Sequence, residues 1–126
     1  MNNNVNYYKC PICGNVIEIL NGDVKRVKCC NVNLELLVAG TTDASLEKHV
    51  PVYEIDGDEI IVKVGETIHP MEEKHYIMWV SLVVEDRVIK VLLKSGDDPI
   101  VRFPYIKDAI IYEYCNLHGL WKSIVK

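Results

Sequence analysis

Several things are scarce in this chain of 126 residues, and each scarcity excludes something. No apolar run approaches the roughly 18 residues of a membrane-spanning helix, so no membrane association is expected. Lys and Arg are scattered without a basic run, and the net charge is −4, which argues against nucleic-acid binding through phosphate neutralisation. An anionic substrate would need a local positive site working against that global charge. The opening MNNNVNYYKC is polar and has no charged segment followed by an apolar one, so no signal peptide is expected and the expected location is the cytoplasm. No long stretch keeps a 3.6-residue period, which excludes a helix-rich fold. Internal repeats and low-complexity tracts are absent.

What is present is a β pattern. Short runs rich in Val, Ile and Tyr alternate between turn signals. Asn21-Gly22-Asp23 separates VIEIL from VKRVKC and predicts a hairpin; Asp56-Gly57-Asp58 does the same between VPVYEI and EIIVKV. Glu85-Asp86 turns HYIMWVSLVV into RVIKVLLK, and SGDDP, residues 95–99, makes another break before IVRFPYI, DAIIYEY and LWKSIV. About seven strands after residue 40 predict an antiparallel sandwich of immunoglobulin-like type. The inter-sheet disulfide of antibody domains cannot form there, because that region holds only Cys115. DASLEK, residues 43–48, is the one candidate helical turn, with Asp43 as its cap.

The chain divides by composition. Residues 1–37 hold four cysteines and two short hairpin-like units, too little to fold on a hydrophobic core alone. Residues 38–126 form the sandwich, and AGTTDAS, residues 39–45, reads as a linker. Cys10-Pro11-Ile12-Cys13-Gly14 is a C-x-x-C turn, and fifteen residues separate it from the adjacent pair Cys29-Cys30. In a reducing compartment clustered cysteines read as metal ligands rather than disulfides. A C-x-x-C turn aims two thiolates at one ion, and two adjacent cysteines can join them only in a distorted tetrahedron. Four thiolates suit zinc and iron alike. A redox dithiol fits less well, since nothing here resembles a βαβ unit.

The chain has only four histidines, His49, His69, His75 and His118, each near the end of a predicted strand, and the fifth cysteine, Cys115, lies three residues before the last of them. A lone histidine is ordinarily a surface or core residue, and a lone cysteine a small buried hydrophobe. Loops at one end of a rigid sandwich can converge, however, and imidazoles joined by one thiolate narrow the choice toward iron or copper.

Three segments carry a resemblance: Glu47-Lys48-His49-Val50-Pro51-Val52, His69-Pro70-Met71-Glu72-Glu73-Lys74-His75-Tyr76-Ile77, and Glu113-Tyr114-Cys115-Asn116-Leu117-His118-Gly119. They resemble the superoxide reductases. The leading cysteine pairs resemble the desulforedoxin-type domain, a small rubredoxin-like knuckle, of the two-iron members of that family, the desulfoferrodoxins. Asn31-Val32-Asn33 departs from the Gly-containing turn expected after the second pair; it bears on hydrogen bonding to sulfur and removes no ligand.

The resemblance implies two irons per chain. Cys10, Cys13, Cys29 and Cys30 would hold a tetrathiolate iron, a site zinc can also occupy. His49, His69, His75 and His118 would ring a second iron in one plane, with Cys115 axial and the sixth position open. It implies one-electron reduction of superoxide to hydrogen peroxide, with Lys48 attracting the anion and helping to deliver a proton and Glu47 taking the open position afterwards. It also implies a rubredoxin-like electron donor and a homodimer. The competing reading is a non-catalytic iron electron-transfer protein whose second iron is saturated.

Overall fold

A computed structural model describes residues 5–40, 49–65 and 69–126. The helical turn expected at 43–48 lies outside these residues. The chain separates into two compact units, Asn4–Val38 and a larger unit carrying Ala39–Lys126.

In the smaller unit, β1 (Asn6–Lys9) pairs antiparallel with β2 (Val16–Ile19) in register Lys9↔Val16, and the C-x-x-C turn fills the loop between them. The amide of Cys10 donates to the Asn15 carbonyl at 2.9 Å and that of Gly14 to the Cys10 carbonyl at 3.0 Å, closing the knuckle. Gly14 has φ 80°, the left-handed region that glycine enters without cost. Beyond β2 the expected hairpin does not form. VKRVKC does not return along VIEIL. Val24–Arg26 coil into a 3-10 turn instead, capped by Asp23, whose Oδ1 accepts from the Lys25 amide at 3.0 Å. Local capping by an Asp competes with strand pairing and here wins.

The chain then forms β3 (Lys28–Cys29) and β4 (Val32–Asn33), a minimal hairpin with Cys29 opposite Val32. Its two-residue loop is Cys30-Asn31, with φ 52° and 62°. Positive φ at both positions is the demand of a mirror-image hairpin turn, and Asn is the residue other than Gly that meets it best. Asn31 therefore does the conformational work expected of a Gly-containing turn. A last short strand, β5 (Glu35–Leu36), adds to β1, giving the order β2-β1-β5. Of the described residues in this unit only Tyr7 and Cys10 are buried.

Among its described residues the larger unit has seven strands: β6 (Pro51–Asp56), β7 (Glu59–Val64), β8 (Ile77–Val84), β9 (Arg87–Leu92), β10 (Ile100–Pro104), β11 (Ile110–Cys115) and β12 (Gly119–Ile124). They make two antiparallel sheets, ordered β10-β7-β6 and β12-β11-β8-β9. The turns expected at Asp56–Asp58 and at Glu85-Asp86 are present, with Asp56 opposite Glu59 and Val84 opposite Arg87. Ile60, Val62, Val64, Val101 and Phe103 from one sheet pack on Ile77, Val80, Leu82, Val84, Ile111 and Cys115 from the other. Each such side chain contributes about 1.5–3 kcal/mol by leaving water, so this unit has a core of its own. Among the described residues no helix is long and apolar enough to cross a membrane.

Registers place the site. Pro51 pairs with Val64, Ile77 with Cys115, and Cys115 with Gly119. The start of β6, the end of β7, the start of β8, the end of β11 and the start of β12 thus share one end of the sandwich. At that end the β8–β11 register slips between Tyr114 and Cys115, leaving Met78 unmatched. A bulge of this kind re-aims side chains next to a site.

Candidate metal centres

The smaller unit gathers Cys10 and Cys13 from the knuckle with Cys29 and Cys30 from the β3–β4 hairpin, their sulfurs all within 4.8 Å of one another. Cys13 Sγ lies 3.5 Å from Cys29 Sγ. Four thiolates at about 2.3 Å from a tetrahedral ion stand about 3.8 Å apart, so the group fits one ion. Without a cation the four thiols cannot all ionise together. Backbone amides of the knuckle, that of Cys13 foremost, hold Cys10 down at about 7. Hydrogen bonding to Cys13 and then Cys10 pushes Cys29 up to about 12, and Cys30 is raised for the same leading reason, its contact with Cys13. Asn15 Nδ2 donates to Cys29 Sγ at 3.6 Å. Cys10 is fully buried, whereas Cys13 and Cys30 are exposed.

The larger unit brings together the second set. Around a closed circuit the imidazole centroids are spaced His49–His69 4.7 Å, His69–His75 4.7 Å, His75–His118 5.0 Å and His118–His49 4.8 Å. Neighbouring rings are nearly perpendicular, at 79°, 79°, 82° and 89° in the same order. The opposite pair His49 and His75 is 6.5 Å apart at 26°. The diagonal is about 1.4 times the sides, so the four rings stand at the corners of a square. His49 Nε2 lies 3.1 Å from His69 Nε2 and 3.1 Å from His118 Nδ1. Four nitrogens about 2.1 Å from a central ion would stand about 3.0 Å from their neighbours.

His69 shows why these nitrogens face inward as lone pairs. Its Nδ1 lies 2.6 Å from the Pro70 carbonyl, which can only accept, so Nδ1 carries the proton and Nε2 is left bare. Burial, the largest influence, holds His69 down at about 4, against the opposing Pro70 hydrogen bond, and keeps the ring neutral. A hydrogen on His49 Nε2 could serve one of its two facing nitrogens; a cation serves both. Cys115 completes the set: its sulfur groups with the donor atoms of His49, His69 and His75 within 4.8 Å and lies 4.0 Å from His118 Nδ1. Burial pushes the Cys115 thiol up, while the amides of Leu117 and His118 draw it down. A bound cation would favour the thiolate strongly.

Glu47 and Lys48 lie outside the described residues. Sequence reasoning missed several residues that hold the ligands in place. Asn116 accepts from the Tyr76 amide at 2.9 Å through Oδ1 and donates to the Lys74 carbonyl at 3.0 Å through Nδ2, tying the Cys115–His118 turn to the segment carrying His75. Met71 Sδ accepts from the Ile77 amide at 3.4 Å. Trp121 stacks on His49 and its Nε1 donates to the His118 carbonyl at 3.0 Å. Glu113, fully buried on β11, has both carboxyl oxygens without a hydrogen-bond partner among the described residues, and burial raises it well above the ordinary carboxylate range. An Asn between two ligands was the only one of these with a signal in the sequence, since Asn favours tight turns.

Known proteins match along nearly the whole chain. The desulfoferrodoxin family pattern matches residues 41–124, and that of the desulfoferrodoxin N-terminal domain matches residues 2–37. The desulfoferrodoxin of Syntrophotalea carbinolica is 49% identical over 117 residues, spanning 92% of this chain and 93% of that one. The desulfoferrodoxin of Nitratidesulfovibrio vulgaris is 44% identical over 124 residues, 98% of each. Among solved structures, the superoxide reductase from Treponema pallidum superposes with a TM-score of 0.74 at 33% identity, covering 94% of this chain and 98% of that one. The two donor sets fit two irons per chain, one among four sulfurs and one among imidazoles and a thiolate.

Proposed function

The chain belongs to the desulfoferrodoxin family, and we propose that it is a superoxide reductase, converting superoxide with one electron and two protons into hydrogen peroxide. The observation that carries this reading is the square of four imidazole rings with the Cys115 sulfur beside it, in a chain matching a solved superoxide reductase over 94% of its length. Iron held by His49, His69, His75, His118 and Cys115 would supply the electron.

The chain's own residues do the rest. His49, His69, His75 and His118 would present ring nitrogens to the iron, and the proton on His69 Nδ1 stays on the Pro70 side. Cys115 would be the one sulfur ligand, and its thiolate would donate electron density to the iron, as a thiolate ligand does in haem enzymes. The Leu117 and His118 amides temper that donation. Lys48 would attract the anion with its ammonium, against a net charge of −4, and assist proton delivery. Glu47 would bind the iron once product has left.

The electron is replaced by a rubredoxin-like donor protein. The exposed Cys13 and Cys30 edge of the tetracysteine centre supports that centre as its entry point. The protein works in the cytoplasm as a homodimer, removing superoxide during oxidative stress.

The reduced protein is mixed anaerobically with superoxide, and oxygen and peroxide are measured. The expected result is one hydrogen peroxide per superoxide consumed, no oxygen evolved, and a Lys48→Ala variant slowed about 10-fold or more with its salt dependence flattened. A non-catalytic electron carrier would form no fast intermediate and would be indifferent to Lys48→Ala, which would overturn the reading.

A further inference from the structure

Trp121 touches two of the four histidines, and it does so by two different interactions. Its ring lies 5.1 Å from that of His49 at 27°, a stacked contact. Its Nε1 donates across three residues to the His118 carbonyl at 3.0 Å. His49 and His118 are neighbours on the square, 4.8 Å apart, so one indole spans one of its edges. Trp121 is 1% exposed and stands on β12 opposite Glu113, held on both sides by the sandwich. Indole is suited to both contacts: it offers an apolar face for stacking and a single N–H that can only donate. Phenylalanine could make the first contact but not the second, and leucine neither.

We infer that Trp121 is a positioning residue for the histidine centre. It sets the plane of the His49 ring and the course of the Cys115–His118 turn, and through them the direction of two nitrogen donors and the thiolate. This inference rests on the assignment of His49, His118 and Cys115 as iron ligands. A residue that merely filled the core would act on stability. A bracket on two ligands acts on the electronic signature and metal retention of one centre and leaves the other alone.

The test compares wild type, Trp121→Phe and Trp121→Leu, each loaded with iron and oxidised. Thiolate-to-iron(III) absorption and electron paramagnetic resonance are recorded for both centres, and iron loss to a chelator is followed. Trp121→Leu is expected to shift the histidine-centre signals and weaken its iron retention about 10- to 100-fold, with the tetracysteine bands unchanged. Trp121→Phe, which keeps a ring against His49, is expected to fall between the two. Should Trp121→Leu fail to fold, the Trp121→Phe spectrum decides alone. Wild-type signals and retention in every folded variant would overturn the inference while leaving the functional reading intact. Wild-type protein that took iron only on its four clustered cysteines would overturn both.

Discussion

The two centres obtain their geometry from opposite sources. The four cysteines sit in a unit whose described residues include two buried ones, Tyr7 and Cys10, with strands of two to four residues. Two tight turns bring the sulfurs together, and little else holds those turns in place. The four histidines and Cys115 sit on strand ends of a seven-stranded sandwich whose core spans both sheets. There hydrogen bonds of the protein itself, through Pro70, Asn116 and Trp121, hold the ligand-bearing segments. In the first centre the metal completes the fold; in the second the fold prepares a place for the metal. The difference suits a small knuckle that needs a staple and a reactive site that must keep one position open.

Metal removal is the sharpest way to break this comparison. Stripping both ions with a strong chelator should unfold Asn4–Val38 while leaving the sandwich folded, because binding energy on the order of 10 kcal/mol is folding energy for a four-thiolate knuckle. Amide hydrogen exchange should show protection lost in β1 and β2 and kept in β7, β8 and β11. Equal loss in both units would show that the sandwich also depends on its ion.

A smaller effect probes the sandwich alone. Glu113 is buried with no hydrogen-bond partner among the described residues, and its folded-state affinity for a proton is raised above the unfolded value near 4.5. The folded protein then holds more protons than the unfolded one as pH rises above that value. Stability should therefore fall with rising pH, by up to about 1.4 kcal/mol per unit, until the folded group itself ionises. Glu113→Gln should flatten this slope in denaturant titrations, and an unchanged slope would assign the pH dependence elsewhere.

The smallest effect probes the knuckle alone. Asn31 holds φ 62° in a loop that favours glycine. Asn31→Gly should be close to neutral, and Asn31→Val should cost about 1–2 kcal/mol and loosen metal at the cysteines only. Thermal melts of the metal-loaded protein with absorption of both centres check this.

The same contrast explains what the sequence made legible. The sandwich strands run over five to eight residues, and their turns lie where Asp56–Asp58 and Glu85-Asp86 mark them. The small unit has no such redundancy. Asn21-Gly22-Asp23 carries hairpin chemistry, yet Asp23 caps a 3-10 turn, and VIEI pairs with NYYK across the cysteine knuckle. The ligand types were legible because the chain has only four histidines and five cysteines. Their circuit, in which His49 stands opposite His75, was not, because it depends on which strand ends share one end of the sandwich. Trp121 was illegible for the same reason, since it acts on His49 from another segment, and Asn116 marked a turn without showing its bonds to Tyr76 and Lys74.

The most direct test of the account is the optical spectrum and metal content of oxidised Cys115→Ser protein beside wild type. Wild type should hold two irons and show thiolate-to-iron(III) bands from two distinct centres. Cys115→Ser should lose the bands of the histidine centre and keep those of the four cysteines. Both sets surviving intact would contradict the placement of Cys115 on the iron where superoxide is reduced.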